Sequence, residues 1–261
     1  MEIGIIITAF NCINYTKACI NSIHTISPFH LILIDDYSTD DTKKYFAALE
    51  RSHKDNSLQS DQPIKDVVVI TDPDTDSLTE KWNLGMTVCK ERNLIAGLIC
   101  NNDILFSKYT IDAVIKRLQQ GIEINENIAM VTACNIRDQI TPEEIFTIPF
   151  PESGSEADSP DFSCFLFRTD IWATWGGFDP NYKIAYFEDN DTHIAMAKLG
   201  YRCISTTTAP YYHYGSVTQN SVPGGICKGH NFEANRTYFL NKWKVDSTSQ
   251  EYVDIINSAK K

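Results

Sequence analysis

The stretch LIAGLICNNDILF, residues 94–106, decides how the rest of the chain is read. An apolar run of strand length stops at Asn101-Asn102-Asp103, and apolar Ile104-Leu105-Phe106 follows at once. Two amides and a carboxylate at the end of a buried strand are costly unless a hydrogen-bond network or a ligand meets them. In open α/β sheets the carboxyl ends of strands are also where ligands bind. Taken alone, the triplet reads equally well as an Asx-rich turn, since Asn and Asp are ordinary turn formers. The flanking sequence has to separate the two readings.

Upstream, residues 3–8 (IGIIIT) and 30–34 (HLILI) are unbroken apolar runs, as expected of strands buried on both faces. Each ends in polar residues: Asn11 and Asn14 after the first, Asp35-Asp36 after the second. Between them Tyr15, Ala18, Cys19, Ile23 and Ile26 recur at helical spacing, ended by Pro28. Ser38, Thr39 and Asp40 offer caps for a helix carrying Tyr45, Phe46 and Leu49. A polar surface loop is expected over 51–63, a third strand over 67–70 and a helix over 82–92. Strand, helix, strand in that order predicts a parallel sheet with right-handed crossovers.

Downstream, Ser107 is expected to cap a helix with Ile111, Val114, Ile115 and Leu118 on one face and Gly121 as its stop. Strands follow over 128–134 and 162–167, separated by a Pro-, Ser- and acid-rich loop at 149–161. A short helix with Trp172 and Trp175 ends at Gly176-Gly177. The acidic run Glu188-Asp189-Asn190-Asp191 opens another, which Gly200 stops. Residues 202–214 are β-prone, and a helix from Asn231 frays after Trp243. With no repeat and no linker, a single α/β domain is predicted.

Composition narrows the function. The 261 residues are 43% hydrophobic and 22% charged, enough for a packed core. A net charge of −11 argues against a nucleic-acid partner, whose phosphates call for a basic stripe. The eight cysteines are scattered without a C-x-x-C pair, so neither a disulfide framework nor a zinc knuckle is expected. The amino terminus has no basic n-region and no long apolar segment. No signal peptide or transmembrane helix is therefore expected, and the default setting is cytoplasmic. The sequons at Asn14, Asn190 and Asn235 are then expected to be chance matches.

Two patterns fail on spacing. Asp72, Asp74 and Asp76 imitate an EF-hand loop, but Ser77 stands where its glycine belongs and Asn83 where its bidentate Glu belongs. No G-x-G-x-x-G, P-loop or G-x-S-x-G follows a strand. What remains is a set of polar clusters at element ends: Asp35-Asp36, Asn101-Asn102-Asp103, Glu188-Asp189 and His213. Each alone has a plain structural explanation, such as a solvated turn or carboxylates favoured at a helix N-terminus.

In order and spacing, the clusters resemble the family 2 inverting glycosyltransferases of the GT-A (nucleotide-diphospho-sugar transferase) fold. The carrying segments are IIITAFN (5–11), LILIDDYSTDDT (31–42), LICNNDILF (98–106), GGFDPNYKIAYFEDNDTHIAMAKLGYRC (176–203), HYGSVT (213–218) and NRTYFLNKW (235–243). The resemblance implies a glycosyltransferase domain over 1–245, with a nucleotide-binding half to about 105 and an acceptor-binding, catalytic half beyond it, then a tail over 246–261. Thr8, Ala9, Asn11, Asp35, Asp36, Asn83, Asn101 and Asn102 would hold the nucleotide-sugar donor, Asn102 at the ribose and Asn101 mostly in the turn.

Asp103 and His213 would ligate a divalent metal, Mn²⁺ or Mg²⁺. The family's acidic motif is here two-thirds amide, so a single carboxylate leaves most neutralisation to the diphosphate. Glu188 and Asp189 would be the catalytic pair, with Asp189 the base that activates the hydroxyl of a glycan or other acceptor. Lys242 or Arg236 would assist at the phosphates, and the 149–161 loop with Trp172 and Trp175 would shape the acceptor site. The implied activity is inverting sugar transfer from a nucleotide sugar, with a UDP-sugar as the guess on family frequency. A lapsed, non-catalytic nucleotide-sugar or glycan-binding module is the alternative.

Overall fold

An unbroken run of buried residues, IGIIITA, makes β1 (Ile3–Ala9) the middle of the parallel region. The computed structural model describes residues 1–158, 160–215, 217 and 228–259. After β1 come α1 (Ile13–Asn21), β2 (Phe29–Asp35), α2 (Thr42–Lys54), β3 (Ile64–Thr71), α3 (Leu78–Glu91), β4 (Ala96–Asn101) and β5 (Ile104–Phe106). The chain continues through α4 (Thr110–Glu123), β6 (Ile128–Asn135), β7 (Glu156–Asp158), β8 (Cys164–Arg168), α5 (Thr169–Trp175), α6 (Glu188–Lys198) and β9 (Arg202–His213). Helices α7 (Lys228–Trp243) and α8 (Gln250–Ser258) close it.

The strands form one sheet in the order β3-β2-β1-β4-β8-β6-β9-β5, with β7 paired to β9. Strands β1, β2, β3, β4, β6 and β9 share a direction, and β5, β7 and β8 oppose it. This is the expected α/β fold with a mostly parallel central sheet flanked by helices.

Both faces of the sheet are buried, which is why its strands read as continuous rather than alternating apolar runs. Ile5, Ile7, Leu31, Leu33 and Leu98 pack with Cys19, Phe46, Ile111 and Val114 on one side. Ile6, Ile32, Ile99 and Phe165 pack with Trp82, Met86 and Trp172 on the other. Helix α3 lies very close to β1, because a Cβ on Gly85 would come within 2.5 Å of the Ile6 side chain. That close approach needs glycine, and it brings the first turn of α3 to the carboxyl edge of the sheet.

Several boundaries differ from the sequence reading. Helix α1 ends at Asn21, well before Pro28, and Ile26 is 84% exposed. Gly121 does not stop α4; it sits inside the helix, with the Ile128 side chain close enough to crowd any Cβ there. Within 149–161, residues of β7 add a short strand to β9. The tail does not fray: Tyr252 and Ile256 of α8 are buried with Phe187, Ile194 and Phe239 in a third apolar cluster. A buried stripe of only two residues in a nine-residue helix is too short a pattern to read from sequence.

Candidate active site

Register carries the clusters to one place. In the ladder Ala9 pairs with Asp35 and Thr8 with Asn101, so β1, β2 and β4 end level with one another. The chain crosses from the β2–β3 side of β1 to the β4 side here, the kind of switch point where α/β sheets open a crevice. Non-glycine residues with positive φ gather at these strand ends: Asn11 and Cys12 after β1, Tyr37 after β2 and Asp72 after β3. Sparsely populated backbone states of that kind persist where surrounding structure fixes them, and functional sites are one such place.

Above the strand ends lies a cavity of about 1010 Å³. Of the residues singled out from sequence, Thr8, Ala9, Asp36, Asn101, Asn102, Asp103, Glu188, Asp189 and His213 line it. Asn11, Asp35 and Asn83 do not. Asn11 accepts through Oδ1 from the Thr39 and Asp40 N–H groups at 2.7 and 3.2 Å, which shapes the turn after β2. Asp35 is fully buried beneath that turn, and burial raises the pKa of its carboxyl. Asn83 accepts from Trp172 Nε1 and the Phe178 N–H, both at 2.9 Å, and donates to the Phe178 carbonyl at 2.7 Å. With its amide spent inside the fold, Asn83 fastens α3 to the segment after α5 and does not face the cavity.

The seat that the opening stretch suggested is assembled by pairing β5 with β9, which sets Ile104 opposite His213. His213 Nε2 lies 3.1 Å from Asp103 Oδ1 and 3.4 Å from Asn101 Nδ2. Asn102 turns inward, donating to Thr16 Oγ1 at 2.9 Å and so tying the seat to α1. Among the described residues no group of three or more His, Cys, Asp or Glu side chains is gathered around one point. Two neighbouring ligands about 2.1 Å from an ion are about 3.0 Å apart, which the Asp103–His213 separation matches. One carboxylate and one imidazole fit a divalent ion that takes its remaining oxygens from a diphosphate and water. They do not make a self-sufficient protein cage.

Across the cavity, Glu188 and Asp189 form the first turn of α6. The Asn190 N–H donates to Asp189 Oδ1 at 2.7 Å, while Glu188 Oε2 is buried without a partner. Burial pushes the pKa of both carboxyls up. The neighbouring Asp189 charge raises Glu188 further, and Asp161 raises Asp189 further. Titratable groups whose surroundings push their pKa values out of the ordinary range are candidates for acid and base roles.

Other lining residues went unnoticed in the sequence. Lys81, 5% exposed, donates from Nζ to Asp36 Oδ2 at 2.5 Å. Its sequence signal was a cation in the first turn of a helix, where the macrodipole disfavours it. Asp74 and Asp76, dismissed as calcium ligands, and Asp161 also face the cavity. The expected helpers lie elsewhere. Lys242 is held between Asp179 and Asp191 at 2.6 and 2.7 Å, and Arg236 pairs with Asp246 at 3.0 Å. Trp172 is buried, and Trp175 stacks on Phe167 in the core. Within the HYGSVT segment, Ser216 and Thr218 lie outside the described residues.

Residues 4–125 match the family model described as glycosyl transferase family 2. That match takes in just under half of the chain, and the fold is GT-A. Among solved structures, TarS 1-349 from S. aureus aligns over all of this chain and 71% of its own, at 15% identity and a TM-score of 0.63. The same protein in complex with UDP aligns over 81% of this chain and 60% of its own, at 17% identity and a TM-score of 0.55. GalNAc-T7 with UDP, GalNAc and Mn²⁺ aligns over 98% of this chain, at 12% identity and a TM-score of 0.66. The chain spans only 50% of the length of that structure. No match was found among curated protein sequences. Among the described residues no helix is long and apolar enough to cross a membrane.

Proposed function

We propose that the chain is an inverting glycosyltransferase that moves a sugar from a nucleotide-diphospho-sugar, a UDP-sugar first among the candidates, to an acceptor hydroxyl. The observation that carries the reading is the meeting of Asp36, Asp103, His213 and the Glu188-Asp189 pair around one cavity at the switch point.

Each residue then has a task. Asp36 accepts the imide N–H of the base through a charge-assisted hydrogen bond, and Lys81 beside it offers a donor to a base carbonyl. Asp103 and His213 would hold Mn²⁺ or Mg²⁺, and such an ion would supply stabilisation for the negative charge of the departing diphosphate. Asp189 withdraws the proton of the acceptor hydroxyl as its oxygen attacks the anomeric carbon. The bond from that carbon to the diphosphate oxygen breaks, its electron pair leaves with the nucleoside diphosphate, and the configuration inverts. Base catalysis of this kind contributes roughly 10²–10⁴-fold. Burial and the neighbouring Asp189 charge raise Glu188 to about 8, and burial raises Asp189 as well, so the pair holds protons more tightly than free carboxyls do.

Electrostatics supports a cation in this site. Asp36, Asp74, Asp76, Asp103, Asp161, Glu188 and Asp189 all line the cavity. Lys81 is already paired with Asp36 and Lys183 with Asp76. A diphosphate entering such surroundings would need a counter-ion, and Asp103 and His213 are the residues that would hold it.

A thermal-shift screen of UDP, dTDP and GDP, each with and without Mn²⁺, tests the reading. A ligand that binds only the native state raises its stability by RT ln(1 + [L]/Kd). One nucleotide should stabilise the protein strongly only with Mn²⁺, and its sugar derivative should be hydrolysed slowly without acceptor. Binding without any turnover would move the chain to the lapsed-enzyme reading, and no binding at all would sink both.

A further inference from the structure

Immediately before the Glu188-Asp189 pair the backbone takes a costly path. Ile184, Tyr186 and Phe187 have φ angles of 63°, 86° and 72°. Side chains of L-residues rarely accept that region, and for a β-branched residue such as Ile184 it is an outlier. Strained segments persist only where their surroundings over-determine them.

The source of the constraint is Asn235 on α7, a residue only 2% exposed. Its Nδ2 donates to the carbonyls of Lys183, Ala185 and Tyr186 at 3.0, 2.9 and 3.1 Å, two hydrogens shared among three acceptors. Its Oδ1 accepts from the Lys183 N–H at 3.1 Å. One buried amide thus grips both ends of the segment. A second tie comes from the opposite rim, where the Ile184 N–H donates to the Asp76 carbonyl at 3.1 Å. Ile184, Ala185 and Tyr186 line the cavity, and Phe187 precedes the first turn of α6.

We infer that Asn235 is a positioning residue for transfer. It holds residues 183–187 in the strained path that walls the acceptor side of the cavity and directs the Asp189 carboxylate into it. The inference depends on Asp189 being the base. No carboxylate, hydroxyl or aliphatic side chain of similar size could replace Asn235, because only an amide offers donors to three carbonyls and an acceptor to an N–H. Donor binding, which falls to β1, β2 and β4, lies outside its influence.

The test is Asn235→Ala in the full chain, with Asp189→Asn in parallel. For Asn235→Ala the donor KM and the UDP–Mn²⁺ thermal shift should stay within about twofold of wild type. The kcat of transfer should fall on the order of 10²-fold, the scale expected when a reacting group is misplaced by about 1 Å. A role confined to stability would lower the melting temperature and leave kcat per folded molecule unchanged; that result overturns the inference. So does a parallel loss of donor affinity. Should Asn235→Ala not fold, hydrogen exchange on the unliganded wild type decides: residues 183–187 should be protected, and exchange at the rate of an unstructured peptide refutes the clamp. A fully active Asp189→Asn removes the base assignment whatever Asn235→Ala does. An inactive Asp189→Asn beside an unaffected Asn235→Ala removes only the clamp.

Discussion

Replacing Asp189 with Asn should produce a protein that is more stable and nearly inactive. The substitution keeps the oxygen that accepts from the Asn190 N–H at 2.7 Å, so the start of α6 is preserved. It removes a charge that sits beside Glu188 in a buried setting. Glu188 is pushed from 4.5 up to about 8, first by burial and then by the Asp189 charge. A carboxyl raised in the native state holds protons that the unfolded state releases, so stability falls as pH rises from about 4.5 through about 8. Bringing Glu188 back by one pH unit corresponds to about 1.4 kcal/mol, or roughly 2–4 °C in melting temperature for a chain of this size. Transfer should fall by roughly 10²–10⁴-fold with the lost base, while UDP–Mn²⁺ binding persists. Melting curves at pH 4 and pH 7.5, with single-turnover transfer at the higher pH, check both halves. The gain in melting temperature should appear at pH 7.5 and shrink at pH 4, below the range from about 4.5 to about 8 over which Glu188 makes stability depend on pH. A variant destabilised at pH 7.5, or one that transfers at near wild-type rate, would refute the account.

Other perturbations separate the remaining roles. Lys81→Met strands Asp36 without its partner, and isothermal titration of UDP with Mn²⁺ should show at least a tenfold loss, about 1.4 kcal/mol. Asp103→Ala should abolish the Mn²⁺-dependent part of the UDP thermal shift; an unchanged shift would move the metal elsewhere. Asn83→Ala leaves the buried Trp172 Nε1 and the Phe178 N–H unpaired, at about 1–3 kcal/mol each. Its melting temperature should drop by several degrees while its affinity for UDP holds, the reverse of a nucleotide ligand. Glu188→Gln should flatten the decline of stability between pH 4.5 and about 8, measured as melting temperature across that range.

The fold was legible because its strands are buried on both faces. Unbroken runs such as IGIIITA and FHLILID leave little doubt about period or length, and polar residues mark where each one stops. Many site residues were legible for the same reason, since Thr8, Asp36 and Asn101 to Asp103 follow directly from strand ends. Asn83 misled because a motif position says nothing of where an amide points. Its partners Trp172 and Phe178 lie 89 and 95 residues away in sequence. Lys81 was missed because pattern reading treats a helical Lys as a solvated face, whereas the close approach at Gly85 buries this one. Asp74 and Asp76 were rejected for the wrong cation geometry, although carboxylates at the end of β3 are simply where the cavity opens.

The insertion of β8 between β4 and β6 has a consequence for how the chain folds during synthesis. Strand β4 is complete at Asn101, but its second neighbour begins only at Cys164. At roughly 5–20 residues per second, the free edge of AGLICN waits about 3–13 s for that partner. An open apolar edge is a template for pairing with another chain, and the β5–β9 ladder that builds the Asp103–His213 seat forms later still. On the proposed function, retention on a UDP–Mn²⁺ matrix would select molecules in which both long-range pairings have closed, and discard those that collapsed with β4 unpaired.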